Sequence, residues 1–539
     1  MTRGGNIFDY IVTGAGSAGC VVAARLSENG RYRVLLLEAG DRDRNPWIHV
    51  PMGYSRLLAD PSVNWMYESE PEPRLDGRTI YQPAGKVLGG TSSINGMVYM
   101  RGSPVDYDEW QQRGCTGWDW GNVLPYFKKA EDQERGADAF HGVGGPLRVS
   151  DPLVRWELAD RWVAAAVEAG LPANNDFNGA RQEGAGHFQS TTNQGRRWST
   201  AAAYLRPTRR RWNLTIWTNA HATRILVENN RAVGVSFITD GILQTVRVRG
   251  EVIVCNGVFN SPQLLQLSGL GPAELLQEIG IPVIRDIPAV GADLRDHFNV
   301  RLAFRCTKRI TLNHVANSFV RRALAGARYA LFRSGSLANN GVCAGAFARS
   351  DDRLDRPDIQ FYFINWSIAA RNGARARAHN FPGFSVDVVH LRPEARGSVR
   401  IKSADPLVPP AIRFNFLRSR EDVRALTAGM RLARKIAKQP ALAGYLSEEI
   451  LPGPRVNTDE EFEAAIRAHG ISTLHAVGTC RMGADGAAVL DPRLRVRGVE
   501  RLRVVDASIM PSVPAGNTNA PTIMIGEKAS DMLLEDARK

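Results

Sequence analysis

Apolar positions along the chain recur with two periods from the start. Phe8-Asp9-Tyr10-Ile11-Val12 reads as a buried strand, and the alanine- and valine-rich stretch Cys20 to Leu26 predicts a helix. Val34-Leu35-Leu36-Leu37 predicts a second buried strand, ending on Glu38. Glu251 to Cys255 is a further short strand, followed by a helix starting near Ser261-Pro262, where proline suits a first turn. Ile359 to Ile364 and Val388 to Leu391 are β-like runs among basic loops. Glu421 to Ala437 and Glu460 to Ala468 are amphipathic helices. Arg503-Val504-Val505-Asp506 is a late strand, and Pro521 to Leu534 a final helix. Between about 150 and 200, Gly, Asn, Pro and charge alternate, and the text reads as loop.

Between the first strand and first helix stands Gly14-Ala15-Gly16-Ser17-Ala18-Gly19. Gly14 permits a tight turn, Gly16 lets backbone approach a pyrophosphate, and Gly19 lets the helix pack on the strand. The helix N-terminus then offers free N–H groups to phosphate. Glu38 is placed to accept from a ribose hydroxyl, and its carboxylate repels a 2′-phosphate, which argues against NADP. Glycine turns of this kind serve nicotinamide and flavin alike. Here a strand, an acid and a helix start wait at residues 503 to 522, far from the phosphate turn. That separation suits an elongated cofactor, and a helix N-terminus near Pro521 suits a ring that gains negative charge on reduction, as flavin does.

Length, charge and cysteines narrow the class. A chain of 539 residues is too long for one simple core, so two interleaved domains are expected. No apolar run approaches the ~18 residues that cross a bilayer, and the first strand leaves no room for a signal peptide ahead of it. Six scattered cysteines have no metal-ligand spacing; free thiols in a reducing cytoplasm are expected, and no metal. The net charge of +13 comes without a nucleic-acid motif. Its excess is local, at Arg209-Arg210-Arg211, at Arg321, Arg322, Arg328 and Arg333, and at Arg371, Arg375 and Arg377. Phe319 to Phe332 sets Phe319, Leu324, Leu331 and Phe332 among arginines; a solvated, partly buried helix is expected there, with peripheral contact to the inner face of a membrane as the alternative.

Several longer motifs resemble the glucose-methanol-choline (GMC) oxidoreductases along nearly the whole chain. They are Pro83 to Gly96 (PAGKVLGGTSSING), Gly257 to Leu265 continuing to Gly271, Val290 to His297 (VGADLRDH), Arg197 to Leu205, and His475 to Gly483. The resemblance implies an α/β fold: a Rossmann-like FAD-binding domain (1–150, 200–300 and 470–539) interleaved with an α+β substrate-binding domain on an antiparallel sheet (151–199 and 301–469). It implies FAD, with Gly14, Gly16, Ser17, Ala18 and Gly19 at the pyrophosphate and Glu38 at the ribose. Ala222 and Trp65 would lie at the adenosine end, and Val87, Gly90, Asn95, Gly96 and Val98 along the flavin. Asp506 and Ala507 would meet the ribityl-phosphate region, and Asn517, Thr518 and Thr522 the pyrimidine edge. His475 and Asn519 match the family's catalytic pair. Ile94 stands where some members carry a flavin-linked histidine, which implies non-covalent FAD.

The implied reaction is oxidation of a primary alcohol to an aldehyde, with His475 taking the hydroxyl proton, hydride passing to flavin N5, and Asn519 orienting the oxygen. Ala84, Ala476 and Val258 depart from the family pattern without removing a reacting group. His141, His187, His221, His297 and His390 read as structural. Met97 and Trp366 are candidate substrate contacts. A polyol or sugar alcohol is the second substrate reading, a GMC-type lyase or a non-catalytic flavin-binding module the competing functions. O2 and a quinone stay open as electron acceptors.

Overall fold

The computed structural model describes residues 7–372 and 375–538, the side chains of 370–376 excepted. The Arg371 and Arg375 members of one basic cluster therefore lie outside the described side chains. Two large sheets organise the chain. In the first, Leu214–Trp217, Val34–Leu37, Ile7–Thr13 and Ile242–Val254 run parallel in that order, and Leu502–Val504 adds to the far side of Ile242–Val254. Val34–Leu37 is buried at every position, as a strand covered on both faces must be. The first half of Ile242–Val254 also pairs antiparallel with Arg231–Thr239, which pairs with His221–Glu228.

The second sheet is antiparallel: Leu446–Leu451, Phe298–Cys306, Gly383–His390, Ile359–Ile364, Ala344–Ala348 and Gly184–His187, in that order, with Ile471–Ser472 also beside Phe298–Cys306. Its two faces differ. Phe298, Val300, Leu302 and Phe304 pack with helices Glu157–Glu168, Arg420–Ala437 and Asp459–His469 in one apolar core. Asn299 and Arg301, one residue out of phase, turn to the opposite face and line a cavity. The fold is thus a Rossmann-like α/β unit interleaved with a sheet-based α+β unit.

Helix Glu157–Glu168 falls in the stretch read as loop. Its buried Leu158, Ala159, Trp162, Ala165 and Ala166 do follow helical spacing, but they are bracketed by Gly-, Asn- and Pro-rich text that dominates a longer window. Glu251 to Cys255 is the covered end of a much longer strand whose first half is mostly solvent-exposed. All six cysteines are unpaired and buried. Among the described residues no helix is long and apolar enough to cross a membrane, and no His, Cys, Asp and Glu group could hold a metal ion.

Helix Ser17–Leu26 crosses the first strand so closely that a Cβ on Gly19 would stand 1.9 Å from the Gly14 carbonyl oxygen. Gly14 is the turn residue pinned by its own N–H to the Leu37 carbonyl oxygen at 2.8 Å, and Gly19 lies within the helix, so neither can yield. Gly19→Ala should destabilise the chain by about 3 kcal/mol or more and lower its flavin content; an unchanged melting temperature would contradict this packing.

Candidate active site

Two helix N-termini from opposite ends of the chain meet at one point. Ser17–Leu26 begins at the glycine turn, and Asn519–Asp536 begins after the Gly516-Asn517-Thr518 loop. The Ser17 hydroxyl donates to Asn519 Oδ1 at 2.7 Å. Two positive helix ends held together favour an anion between or beside them. Gly16 leaves that side open: a Cβ there would find only the Cys255 carbonyl oxygen, 3.9 Å away. The Pro83 to Gly96 loop closes the back of the turn, with a Gly90 Cβ position 2.6 Å from Gly16 Cα.

From this point a cavity of about 720 Å³ extends both ways. Toward the edge of the parallel sheet it is lined by Glu38, Ala222, Trp65, Tyr67 and Phe259. Trp65 and Tyr67 stack with ring centroids 5.9 Å apart, and His221 meets Trp65 edge-on. Burial, with the Lys86 ammonium nearby, pushes the His221 pKa down to about 4, so that ring is neutral. Lys86 Nζ lies 4.7 Å over the Trp65 ring, and the stacked pair leaves an aromatic slot suited to a flat base. Glu38 accepts from the Ala15 and Gly40 N–H groups, both at 2.8 Å, and burial lifts its pKa to about 7. The residues present therefore fit a dinucleotide with its base in the slot and its phosphates at the paired helix ends.

In the other direction the cavity reaches His475. Its backbone N–H donates to Asp296 Oδ1 at 2.8 Å, while Ser472 donates to Asp296 Oδ2. Burial lifts the Asp296 pKa to about 7. Leu474, just before, holds a left-handed φ of 67°, and Gly478, just after the turn, has a φ of 96°. A Cβ at Gly478 would stand 2.4 Å from the Asp293 carbonyl oxygen. The Val290 to His297 motif is thus the bracket that sets the His475 backbone.

The ring's hydrogen bonds fix its tautomer. His297 Nε2 faces the Leu391 carbonyl oxygen at 3.0 Å, which only accepts, so that nitrogen carries the proton. Burial keeps His297 neutral, its pKa well below the ordinary value, so its Nδ1 is bare and accepts from His475 Nδ1–H at 3.1 Å. His475 is also neutral, its pKa pushed by burial to about 3, which leaves Nε2 as the basic lone pair. Asn517 Nδ2 donates to that lone pair at 3.0 Å. The Tyr362 hydroxyl, on strand Ile359–Ile364, donates to Asn517 Oδ1 at 3.0 Å and so settles which way the carboxamide points.

The carboxamide that meets His475 is therefore Asn517, not Asn519, whose oxygen is engaged by Ser17. In an Asn-Thr-Asn run, the loop residue faces the imidazole and the first helical residue faces the phosphate turn. Gly14, Gly16, Ser17, Ala18, Trp65, Gly90, Asn95, Gly96, Val98, Ala222, Asp506, Ala507, Thr518 and Thr522 all line the cavity, as do Met97 and Trp366. Two positions do not. Gly19 lies behind the turn, and Val87 is buried with Ile48, Leu57, Val63 and Ile94 in a separate apolar cluster. The Asp506 carboxylate accepts from Gly257 N–H, Ser261 and Ser508 N–H, which orders the start of helix Gly257–Leu267. Sequence reading placed His297 among structural histidines; the signal available was its Asp-His motif, which no packing argument required. Tyr362 carried no signal beyond its place in an apolar strand.

Comparison with known proteins agrees with this geometry. The family models described as GMC oxidoreductase match residues 8–299 and 393–526. An alcohol dehydrogenase [acceptor] of Pseudomonas putida is 44% identical over 98% of this chain and 96% of its own. An oxygen-dependent choline dehydrogenase of Brucella suis is 43% identical over 98% of this chain and 95% of its own. Among solved structures, the FAD-bearing formate oxidase of Aspergillus oryzae RIB40 superposes with a TM-score of 0.92 at 26% identity, covering 99% of both chains. Its sequence, its two sheets and its cavity together place this chain in the GMC oxidoreductase family.

Proposed function

We propose that the chain oxidises a primary alcohol to an aldehyde with FAD, His475 serving as the base. The observation that carries this reading is the bare His475 Nε2 on the cavity wall, its tautomer imposed from behind by His297 and Leu391. Bound FAD supplies the acceptor for the carbinol hydride. His475 Nε2 takes the hydroxyl proton. The Asn517 N–H, aimed at the same lone pair, is placed to donate to the substrate oxygen and to hold it in line. Asn519 and Ser17 belong to the phosphate end rather than to the reacting end. Ile94, fully buried, has no atom that bonds a flavin, which supports dissociable FAD.

The cavity wall beside His475 supports a neutral substrate. Asp387 is neutralised by Arg301 through two hydrogen bonds of 2.5 and 2.7 Å. Among the described residues no unpaired carboxylate there awaits a quaternary ammonium such as choline, and Met97, Val342, Ile364 and Trp366 add apolar surface.

His475→Ala should retain FAD and slow anaerobic flavin bleaching by alcohol about 10²–10⁴-fold; rapid bleaching in that variant would end the assignment. The two asparagines should separate cleanly. Asn517→Ala is expected to lower kcat with FAD retained, and Asn519→Ala to weaken FAD binding, as read by flavin content and stopped-flow reduction.

Tyr362→Phe removes the group that orients the Asn517 amide. A lost hydrogen bond of about 1–3 kcal/mol should lower kcat roughly ten- to a hundredfold with KM and flavin content little changed, and an unaltered kcat would discharge Tyr362 from this role.

Burial lowers the His475 pKa, so its base form persists as pH falls and is lost only near pH 3. The acid limb of kcat/KM should therefore lie well below 6.5, where an exposed histidine would place it; a limb at or above that value would contradict the burial argument.

A further inference from the structure

Helix Phe319–Phe332 has no buried residue. Phe319, Val320, Leu324 and Leu331 are 78%, 64%, 65% and 75% exposed. At helical spacing these four, with Ala327, fall on one arc of roughly 140°. The arc faces away from the protein, because Tyr329 on the opposite side lies within 3.2 and 3.0 Å of the His49 and Gly195 carbonyl oxygens. Arg321 and Arg328 flank one edge of the arc, Arg322 and Arg333 the other, all exposed. The helix carries no acidic residue, and among the described residues none of the four arginines is paired with a carboxylate. The partly buried helix expected from the sequence is thus an inverted one, apolar toward solvent. It also sits beside the cavity: His49 starts the segment that carries Tyr54 and Ser55, both on the cavity wall.

We propose that this helix docks the enzyme on an anionic lipid bilayer, its apolar arc in the acyl boundary and its arginines at the headgroups. An apolar stripe edged by unpaired cations matches the chemistry of that interface, where arginine stems lie along the apolar boundary and their guanidinium groups bind phosphate. A second copy of the chain fits less well, because a two-fold contact through the stripe would press arginine edge against arginine edge. Docking would bring lipid-dissolved reactants to the rim of the cavity.

Co-sedimentation of the holoenzyme with vesicles tests this. Vesicles containing phosphatidylglycerol should retain the wild type, and phosphatidylcholine vesicles should retain far less. Replacing Val320, Leu324 and Leu331 together by serine should cut vesicle affinity by about a hundredfold or more. Arg321→Gln with Arg328→Gln should cut it on the order of tenfold or more on the anionic vesicles alone. Flavin content and turnover of a water-soluble alcohol should be unchanged in both variants, since none of these side chains reaches the cavity. Release of the wild type from anionic vesicles by high salt is expected independently of any variant. Three results would each overturn the proposal: no preference of the wild type for anionic vesicles, undiminished binding by the serine variant, or a solution dimer that the serine changes split into monomers.

Discussion

Everything in the cavity is referred to the point where the first and last long helices present their N-termini to each other. Each helix end leaves N–H groups without partners, and the partial positive charges repel when brought together without an anion. The Ser17–Asn519 bond and the packing of Gly526 against Ala18 and Val21 hold them there nonetheless. The constraint explains why the nucleotide unit is discontinuous. Strand Leu502–Val504 must pair along the far side of Ile242–Val254 so that the following loop and helix arrive beside the glycine turn. Arg503, almost fully buried, ties that strand to Glu251 and to Asp536 near the chain's end, with distances of 2.7 Å to each.

The antiparallel sheet has a different task, and its strand pairing sets the geometry of the reacting end. Arg301, Asp387 and Tyr362 stand in one row across three strands, through the register pairs Arg301 to Asp387 and Asp387 to Tyr362. Side chains in such a row share a face, so the ion pair and the phenol project into the cavity together. Tyr362 then reaches Asn517, and just past the Gly383–His390 strand the Leu391 carbonyl reaches His297. His475 follows Ile471–Ser472 and Asn517 precedes the last helix, and the orientations of both are imposed from the antiparallel sheet at the two ends of one hydrogen-bond chain.

How much of this the sequence declares depends on whether a feature is local. The glycine turn, the buried strands around it and Glu38 are local, since each depends on neighbours within one strand–turn–helix unit. His475 was singled out by the residues that follow it, and it lies on the cavity wall. The choice between Asn517 and Asn519 was not legible, because two carboxamides two residues apart differ only in where the final helix starts. Val87 shows the same limit: motif position puts it near the ring, while packing turns its side chain toward Ile48 and Leu57. Tyr362 and His297 act through partners more than a hundred residues away, and no periodicity reports such a contact. Helix Phe319–Phe332 misled for the opposite reason. Its amphipathic pattern was visible, but periodicity cannot say which face meets the protein, and the default of apolar inward fails here.

A buried histidine with a depressed pKa is a weak base at rest. Had a carboxylate stood where the Leu391 carbonyl stands, its charge would have favoured protonation of the imidazoles ahead of reaction. A neutral carbonyl fixes the tautomer without doing so. His475 thus waits uncharged, and a proton arriving at Nε2 creates a buried cation that the resting site disfavours. Under the proposed reaction that cost would fall only if negative charge developed beside it in the same event, as loss of hydride from the carbinol to a bound flavin would provide. A base so weak would then oppose proton removal from an alcohol not positioned for oxidation and would tie the two transfers together.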